Sequence, residues 1–284
     1  MNTPGPRSIL ITGCSSGIGR CVADGLRARG HRVFATARKD EDVVRLAADG
    51  FEAFRLDLDD SASLHAAVDA VLERTGGTLD ALFNNGAYGQ AGAVEDLSRE
   101  VLRAQFETNL FGWAELTNRV IPVMRRQGHG RILQNSSVLG FAAMPYRGAY
   151  NASKFALEGL SDTLRLELHG TGIHVVLIEP GPITSRFRAN ALAMFQRHID
   201  VEHSAHREEY AAQLARMQKP GPAAPFTLPP EAVLQAVIHA LESPRPRLRY
   251  RVTVPTRLFA VLKRLLPGRA MDWVLRRASG GGKR

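Results

Sequence analysis

The sequence has 284 residues, 44% of them hydrophobic, and a formal net charge of +9. This length and composition predict one large globular domain, with two small domains as the second choice. No apolar run reaches the roughly 20 residues of a membrane-spanning helix, which argues against an integral membrane protein.

The charge is distributed unevenly along the chain. Residues 1–244 contain 25 basic and 27 acidic residues, whereas residues 245–284 contain 12 basic residues and one acidic residue, Asp272. The net positive charge therefore comes from a basic C-terminal segment, not from a basic body.

The two cysteines, Cys14 and Cys21, are close together near the N-terminus. A disulfide between them would close a very small loop inside a turn, so we expect two free thiols in a reducing cytoplasm. Residues 9–11 already form the pattern of a core strand, which leaves no room for a secretory signal. We therefore expect a cytoplasmic protein.

Short apolar runs alternate with longer helical patterns along most of the chain. This alternation predicts a parallel sheet with helices on both faces, and right-handed crossovers make the sheet doubly wound. The expected fold class is α/β, with a Rossmann-type sheet of seven strands. The predicted strands are 8–12, 32–37, 52–56, 79–84, 131–135, 174–178 and 250–254, and the predicted helices are 17–29, 42–48, 61–74, 98–126, 150–169 and 231–241.

Three residues are expected to shape these helices. Ser61 is a candidate N-cap for the helix over 61–74. Ser98 is expected to open the long helix over 98–126, and Pro122 to bend it.

Two segments depart from the alternation. Residues 185–228 predict a helical insertion within the same domain, long enough to act as a substrate lid. Residues 257–284 predict a basic, amphipathic tail, which leaves 1–256 as the catalytic domain. The insertion carries His198, His203 and His206 without the spacing of a metal site, so we expect solvated side chains and no metal.

The first strand runs directly into a glycine-rich loop that opens a helix, which is the setting that a dinucleotide-binding loop needs. Gly13 allows the tight turn, Gly17 lets backbone N–H groups approach a pyrophosphate, and Gly19 lets the helix pack on the sheet. The N-terminus of the helix favours the anion. The remaining candidate contacts in this loop are Ser15, Ser16 and Ile18.

The end of the second strand bears on which nucleotide binds. NAD-binding chains of this kind usually carry an acidic residue there, which holds the ribose 2′-hydroxyl. Here the position is Ala37 and the next residue is Arg38, whose guanidinium suits a 2′-phosphate. NADP(H) is therefore the preferred cofactor, with NAD(H) as the alternative. Asp57, after the third strand, is placed to meet the adenine or to cap a helix.

Tyr150 and Lys154 are four residues apart on a predicted helix, so they share a face. An ammonium beside a phenol lowers the pKa of the phenol, which can then exchange a proton with a carbonyl or alcohol oxygen. Ser137, at the end of a strand, can hold the same oxygen. Alone, such a Tyr-x-x-x-Lys pair is more often a surface contact.

In combination these residues resemble the short-chain dehydrogenase/reductase family over roughly residues 8–185. The family's Thr-Gly-x3-Gly-x-Gly loop matches 12–19, and its serine thirteen residues before Tyr-x-x-x-Lys matches Ser137, Tyr150 and Lys154. The resemblance implies that Asn109 holds a water in a relay to the lysine. It also implies cofactor contacts from Leu58, Asn85, Gly86, Ala87, Tyr150, Lys154, Pro180, Gly181, Ile183 and Thr184.

One motif departs from the family pattern Asn-Asn-Ala-Gly, because the order here is Asn84-Asn85-Gly86-Ala87. Gly86 takes positive φ easily and Ala87 does not, so the exchange puts the local backbone conformation in doubt. Within the family, the chain is most similar to hydroxysteroid and retinol dehydrogenases and to bacterial NADPH-dependent aldehyde reductases.

The expected activity is NADP(H)-dependent interconversion of a lipophilic aldehyde or ketone and its alcohol. The alternatives are a steroid- or retinoid-type alcohol dehydrogenase using NAD(H), and a nucleotide-sensing regulator on the same fold. Similar proteins suggest a homodimer or homotetramer. The substrate pocket is expected to be apolar, with Tyr88, Leu139, Phe141, Met144 and Tyr146 in its lining.

The tail leaves two alternatives open. Its aromatic and basic residues could bind the inner face of an anionic membrane peripherally, or its apolar side could pack on the enzyme or a second subunit. Nothing in it reads bases, so we expect no nucleic-acid partner.

Overall fold

The computed structural model describes residues 5–222 and 224–279. Seven parallel strands form one sheet in the order β3-β2-β1-β4-β5-β6-β7. The predicted doubly wound α/β fold is confirmed. The strands are β1 (Ser8–Ile11), β2 (Arg32–Ala37), β3 (Glu52–Arg55), β4 (Ala81–Asn84), β5 (Gly130–Asn135), β6 (Ile173–Glu179) and β7 (Arg249–Arg251).

Helices cover both faces of the sheet, and each face has its own apolar core. Leu26 and Val237 belong to the core on one face, and Leu64 and Val120 to the core on the other. The helices in these layers are α1 (Gly17–Ala28), α2 (Asp40–Ala48), α3 (Ser61–Thr75), α4 (Arg99–Phe106), α5 (Gly112–Gln127), α6 (Gly148–Glu167) and α9 (Glu231–Glu242).

The chain reverses its direction of progress across the sheet between β1 and β4. After β1 it adds β2 and β3 outward, and then it returns to place β4 beside β1. The crevice at the carboxyl ends of strands at such a switch point is where open α/β sheets bind ligands.

The helix predicted over 98–126 is interrupted. Ser98 caps α4 as expected, its side chain accepting from Val101 N at 3.3 Å, but Glu107–Phe111 form one turn of π-helix before α5 begins. α5 runs continuously through Pro122. The π-turn lies ten or more residues before the proline, and the bend expected at Pro122 stays a prediction.

Two further local predictions were wrong. Asp60, not Ser61, caps α3, because its carboxylate accepts from the backbone N–H groups of Ala62 and Ser63 at 3.0 and 3.2 Å. The strand predicted over 250–254 ends at Arg251, since Val254 already starts a helix with Pro255 in its first turn.

The insertion consists of α7 (Phe187–His198) and α8 (Arg207–Gln218). Its apolar residues pack on the segment after β4, where Phe195, Tyr210 and Met217 form a cluster with Leu97 and with Ala149 of α6. The insertion is therefore a cover over one end of the sheet.

The C-terminal segment folds as α10 (Val254–Leu265) and α11 (Gly268–Ala278). Phe259, Met271 and Leu275 pack against Val138 and Ala142, which follow β5. Residues 280–284 of the predicted tail and 1–4 of the predicted catalytic domain lie outside the described residues. Among the described helices, none is long and apolar enough to cross a membrane.

Candidate active site

The loop after β1 depends on glycine at two positions. Gly13 has φ of +72°, and a Cβ there would lie 2.7 Å from Gly86 Cα. A Cβ on Gly19 would lie 2.2 Å from Gly13 O. The loop can therefore fold tightly beside the end of β4 only without these side chains.

Hydrogen bonds join the ends of β1, β4 and β5. Thr12 Oγ1 accepts from the backbone N–H groups of Asn85 and Gly86 at 2.8 and 2.9 Å. Asn135 Nδ2 donates to Asn85 Oδ1 at 2.9 Å, and Trp113 Nε1 donates to Gly86 O at 2.8 Å. The switch-point crevice is thus held by buried polar contacts among three strands and α5.

The exchanged order of Gly86 and Ala87 leaves the backbone without strain, because neither residue has positive φ. The absence of a side chain at Gly86 serves a different purpose. A Cβ there would lie 3.2 Å from Leu58 Cδ1 and 3.5 Å from Gly13 N. The glycine therefore allows the loops after β1, β3 and β4 to approach one another.

The residues present at this crevice fit a dinucleotide. The side chain of Ser16, the N-cap of α1, makes no capping hydrogen bond, so the first N–H groups of the helix face outward as donors for an anion. Ser15 precedes it in the loop, and Ile18 lies in the first turn of α1. Gly17 has φ of +58°, and a Cβ there would lie 3.1 Å from Ser185 Cβ of the insertion.

Arg38 follows β2 directly and is exposed. Its neighbour Lys39 pairs with Glu41 at 3.1 Å, whereas Arg38 forms no ion pair with any described residue. Asp57 accepts from Asp59 N at 3.2 Å, which places it in the turn after β3. The free guanidinium at the end of β2 suits a 2′-phosphate.

The cofactor contacts expected after β6 lie in the segment that leads from this strand into the insertion. Pro180 O accepts from Val138 N at 2.8 Å, and a Cβ on Gly181 would lie 2.2 Å from Thr253 Oγ1. Ile183 bridges to Leu228, and Thr184 N donates to Leu228 O at 2.9 Å. The Pro-Gly segment thus joins both ends of the insertion.

Tyr150 and Lys154 are buried on one face of α6, with exposed fractions of 9% and 1%. Lys154 Nζ donates to Asn135 O at 2.9 Å and lies 4.1 Å from the centre of the Trp113 ring and 5.9 Å from that of Tyr150. The carbonyl and the two aromatic faces are the partners that offset burial of the ammonium.

The electrostatics differ from the sequence expectation for the phenol. Burial raises the pKa of Tyr150 to about 12, and a hydrogen bond with Ser137 opposes this rise. Burial also lowers the pKa of Lys154 to about 7, opposed by the charge of Glu158. Burial thus affects the pKa of Tyr150 more than the nearby Lys154 ammonium does. This favours a protonated phenol near neutral pH.

Two serines follow β5, and their surroundings separate them. Ser137 Oγ accepts from Leu139 N at 3.1 Å and interacts with Tyr150. Ser136 Oγ is buried without a hydrogen-bond partner of ordinary geometry and lies near Glu158. The structure thus places Ser137, as the spacing predicts, beside the phenol.

Asn109 lies in the π-turn and is fully buried. Its Oδ1 accepts from Tyr88 N at 3.2 Å, while its Nδ2 donates to Tyr88 O at 2.9 Å and to Ser153 Oγ at 3.3 Å. Asn109 therefore ties the segment after β4 to α6. A single π-turn is a common device for aiming a side chain at a functional site.

Phe187 is a candidate site residue that the sequence analysis did not assign. Its ring meets that of Tyr150 edge-on, with centroids 5.2 Å apart, and a Cβ on Gly89 would lie 2.6 Å from Phe187 Cζ. In the sequence, only the position of Phe187 five residues after Pro182 could have indicated that it belongs to the site. Phe187 therefore covers one side of the Tyr150 ring.

The residues expected to line the pocket are divided between other contacts. Leu139, Phe141 and Met144 pack with the C-terminal helices, and Tyr146 packs on Tyr210 of the insertion. These residues support the helices that cover the expected pocket.

Tyr88 lies nearer the nucleotide end. Burial raises the pKa of Tyr88 to about 12, with smaller effects from Asp59 and Arg38.

The histidines of the insertion make polar contacts. His198 Nδ1 lies 2.9 Å from Gln90 Oε1, His203 Nδ1 lies 2.8 Å from Asp200, and His206 Nε2 lies 2.5 Å from Glu95. In the described part of the chain, no three potential ligands are grouped as a metal site.

Comparison with known proteins indicates the family to which this chain belongs. The short chain dehydrogenase family profile matches residues 7–195. The chain is 46% identical to the uncharacterized oxidoreductase YbbO of Escherichia coli over 269 residues, covering 95% of this chain and 94% of that protein. It is 34% identical to human 17-beta-hydroxysteroid dehydrogenase type 1, covering 86% of this chain and 77% of that protein.

Solved structures of the same family share the fold. A short chain dehydrogenase/reductase from Burkholderia phymatum in complex with NAD has a TM-score of 0.77 at 26% identity, covering 93% of this chain and 96% of that one. A variant actinorhodin polyketide ketoreductase with NADPH has a TM-score of 0.71 at 29% identity, covering 89% and 97%. The chain belongs to the short-chain dehydrogenase/reductase family, oxidoreductases that act on CH–OH groups with NAD(P).

Proposed function

We propose that the protein is an NADP(H)-dependent oxidoreductase that interconverts a lipophilic aldehyde or ketone and its alcohol. The observation that carries this proposal is the buried Tyr150, which lies between the Ser137 hydroxyl and the ring of Phe187, with Lys154 behind it. A hydroxyl-bearing site closed by an aromatic ring suits a substrate that is apolar except at its reacting oxygen.

The chain's own groups perform the proton half of the reaction. In reduction, Tyr150 donates its hydroxyl proton to the substrate oxygen, while Ser137 donates a hydrogen bond to the same atom. The Lys154 ammonium stabilises the phenolate that remains. A nicotinamide bound in the switch-point crevice would supply the hydride.

Arg38 supports the choice of NADP(H). The end of β2 has no acidic residue for a ribose 2′-hydroxyl, and the exposed guanidinium of Arg38 suits a phosphate. The related proteins include one whose name states NADPH dependence and structures with either nucleotide.

The decisive experiment is a substrate screen. Purified protein is incubated with NADPH or NADH and a panel of apolar aldehydes and ketones, matched with polar analogues of equal size. We expect NADPH oxidation with the apolar members. Turnover of steroid or retinoid alcohols with NAD⁺ would favour the alternative, and turnover of polar substrates alone would contradict the proposal.

We further propose that α10 binds an anionic membrane surface. Its buried face is occupied by Thr256, Phe259 and Ala260, but Val254, Leu258, Val261 and Leu265 form a second apolar stripe with helical spacing. Each is more than half exposed. Basic residues of the same segment flank the stripe, which is the composition of an interfacial helix.

We also propose a two-fold assembly through α5 and α6. Phe155 and Leu160 of α6 are exposed on the surface of the molecule, at 39% and 44%. Light scattering at micromolar concentration is expected to show a dimer or tetramer, and a monomer there would contradict the proposal.

A further inference from the structure

A cavity of about 440 Å³ lies between α6, β6, β7 and α10. Neither Tyr150 nor Lys154 lines it. The charged residues of its lining are Glu158, Glu179, Arg249, Arg251, Lys263 and Arg264.

Glu158 connects this cavity to the candidate active site. It lies one helical turn after Lys154 on the same face of α6, and its exposed fraction is 8%. Its Oε2 accepts from Arg249 Nη2 at 3.2 Å. Glu158 therefore lies between the buried ammonium and the ion pairs that bind α6 to β7.

The other carboxylate oxygen has no such partner. Glu158 Oε1 and Ser136 Oγ are both buried, and among the described residues neither has a hydrogen-bond partner of ordinary geometry. A methyl group on Gly140 would lie 2.7 Å from Ser136 Oγ and 3.2 Å from Glu158 Oε1, so both atoms face the same space. Ser136 directly follows Asn135, whose carbonyl binds Lys154.

Burial and the nearby Glu179 raise the pKa of Glu158 to about 7, while Ser136 and Arg249 oppose the rise. Burial lowers the pKa of Lys154 to about 7, and the charge of Glu158 opposes that fall. The charge of Glu158 thus opposes the loss of the Lys154 proton that burial favours. The remaining charged groups around it are Asp162 on α6, Arg251 on β7, and Lys263 and Arg264 on α10.

We propose that Glu158 is a positioning residue for proton transfer: its carboxylate is the counter-charge that keeps Lys154 protonated, and the cavity links that carboxylate to solvent. This inference rests on the role proposed for Lys154, and not on the proposed substrate class.

The test compares Glu158→Gln with Asp162→Asn. Both variants remove a carboxylate that binds Arg249, but Asp162 lies a turn farther from Lys154. Without its counter-charge, Lys154 loses its proton at lower pH, so the falling limb of the kcat profile for carbonyl reduction moves toward acid by about one unit. At about pH 8 this predicts a roughly tenfold loss for Glu158→Gln.

The KM for the cofactor is expected to stay unchanged, and Glu158→Asp to restore most of the profile. A Glu158→Gln profile that superimposes on the wild type, or an equal shift in Asp162→Asn, would overturn the inference. Circular dichroism melting identifies any variant that is unfolded, and Glu158→Met, which also lacks the carboxylate, then replaces Glu158→Gln in the comparison.

A second measurement does not depend on a substrate. In full-length protein labelled with ¹³C at lysine Cε, the resonance lost in Lys154→Arg reports the titration of Lys154. We expect its midpoint to fall in Glu158→Gln and to stay in Asp162→Asn. If no tested carbonyl is turned over but this shift is present, the substrate proposal fails and the positioning role stands. An unshifted midpoint overturns the role.

Discussion

The sheet with its strand-end loops and the helices that cover it are held by different kinds of contact. At the strand ends, buried polar groups meet, as in the Thr12, Asn85 and Asn135 bonds. In the covers, aromatic and aliphatic side chains meet, as in the clusters around Tyr210 and Phe259. Hydrogen bonds fix positions narrowly, whereas apolar packing tolerates changes of shape. We infer that the strand-end loops, together with the face of α6 that carries Tyr150 and Lys154, perform the chemistry, and that the helices of the insertion and of the C-terminal segment select the substrate.

The largest effect is expected from Tyr150→Phe. Removing the phenolic proton donor should lower kcat for every substrate by about 10²–10⁴-fold, with cofactor binding little changed. Steady-state kinetics and cofactor titration measure the two effects. The matched control is Tyr250→Phe, which removes a hydroxyl of β7 that is hydrogen-bonded to His239 of α9. Retention of more than about a tenth of the activity would contradict the assignment.

The next effect concerns the cofactor. Arg38→Ala should raise the KM for NADPH roughly ten- to hundredfold, equivalent to about 1.5–3 kcal/mol for a charge-assisted contact, and leave that for NADH nearly unchanged. Lys39→Ala removes an adjacent cation already paired with Glu41 and should change neither. Equal effects of Arg38→Ala on both nucleotides would show that Arg38 does not bind the phosphate.

A smaller effect is expected in the cover. Phe187→Ala should raise the KM for apolar carbonyls roughly two- to tenfold, the range of one aromatic contact. It also opens Tyr150 to water, so the pKa that burial raises should fall. Alcohol oxidation needs the phenolate, and its rate should therefore begin to rise at lower pH than in the wild type.

Phe226→Ala in the same insertion, where the ring is 64% exposed, is the control for Phe187→Ala. An unchanged pH profile together with an unchanged KM would show that Phe187 does not close the site.

The smallest effect is expected at the outer stripe of α10. Intact protein should co-sediment with phosphatidylglycerol vesicles and not with phosphatidylcholine vesicles, because only the former carry a net negative charge. The test is made at low salt, since salt screens the attraction. The double substitution Leu258→Ser with Val261→Ser should abolish this binding without changing turnover of a water-soluble substrate.

Val44→Ser, at an apolar position on α2 that is 69% exposed, is the control for the stripe. Intact protein that stays in the supernatant with both kinds of vesicle would end the membrane proposal.

The same division explains what could be predicted from the sequence. The strands, the glycine loop and the Tyr150–Lys154 spacing follow from local periodicity and backbone requirements. The π-turn at Asn109 could not be predicted, because its alternative, a continuous helix, has the same local propensities. The contact of Phe187 with Tyr150 also escaped prediction, since it depends on how an insertion folds back in space.

The electrostatic setting of the site was the least accessible. A shared helix face predicts that Lys154 lowers the pKa of Tyr150, but the burial of both groups has the larger effect in the opposite direction. Burial is a property of the assembled molecule. Likewise, nothing in the sequence distinguishes Glu158 from the other acids of a solvated helix, although the fold buries it beside a cavity.

The bridge between Ile183 and Leu228 fixes where the insertion leaves the sheet and where it returns. Thr184 N bonds to Leu228 O, and Leu228 N bonds to Pro182 O. The two ends are thus adjacent whatever lies between them, and doubling the length of such a loop costs only about 0.6 kcal/mol. A change in the length of the segment from 187 to 226 therefore costs little chain entropy. We expect that grafting a relative's version between these two anchors changes substrate preference, provided that the graft keeps the contact of Phe187 with Tyr150.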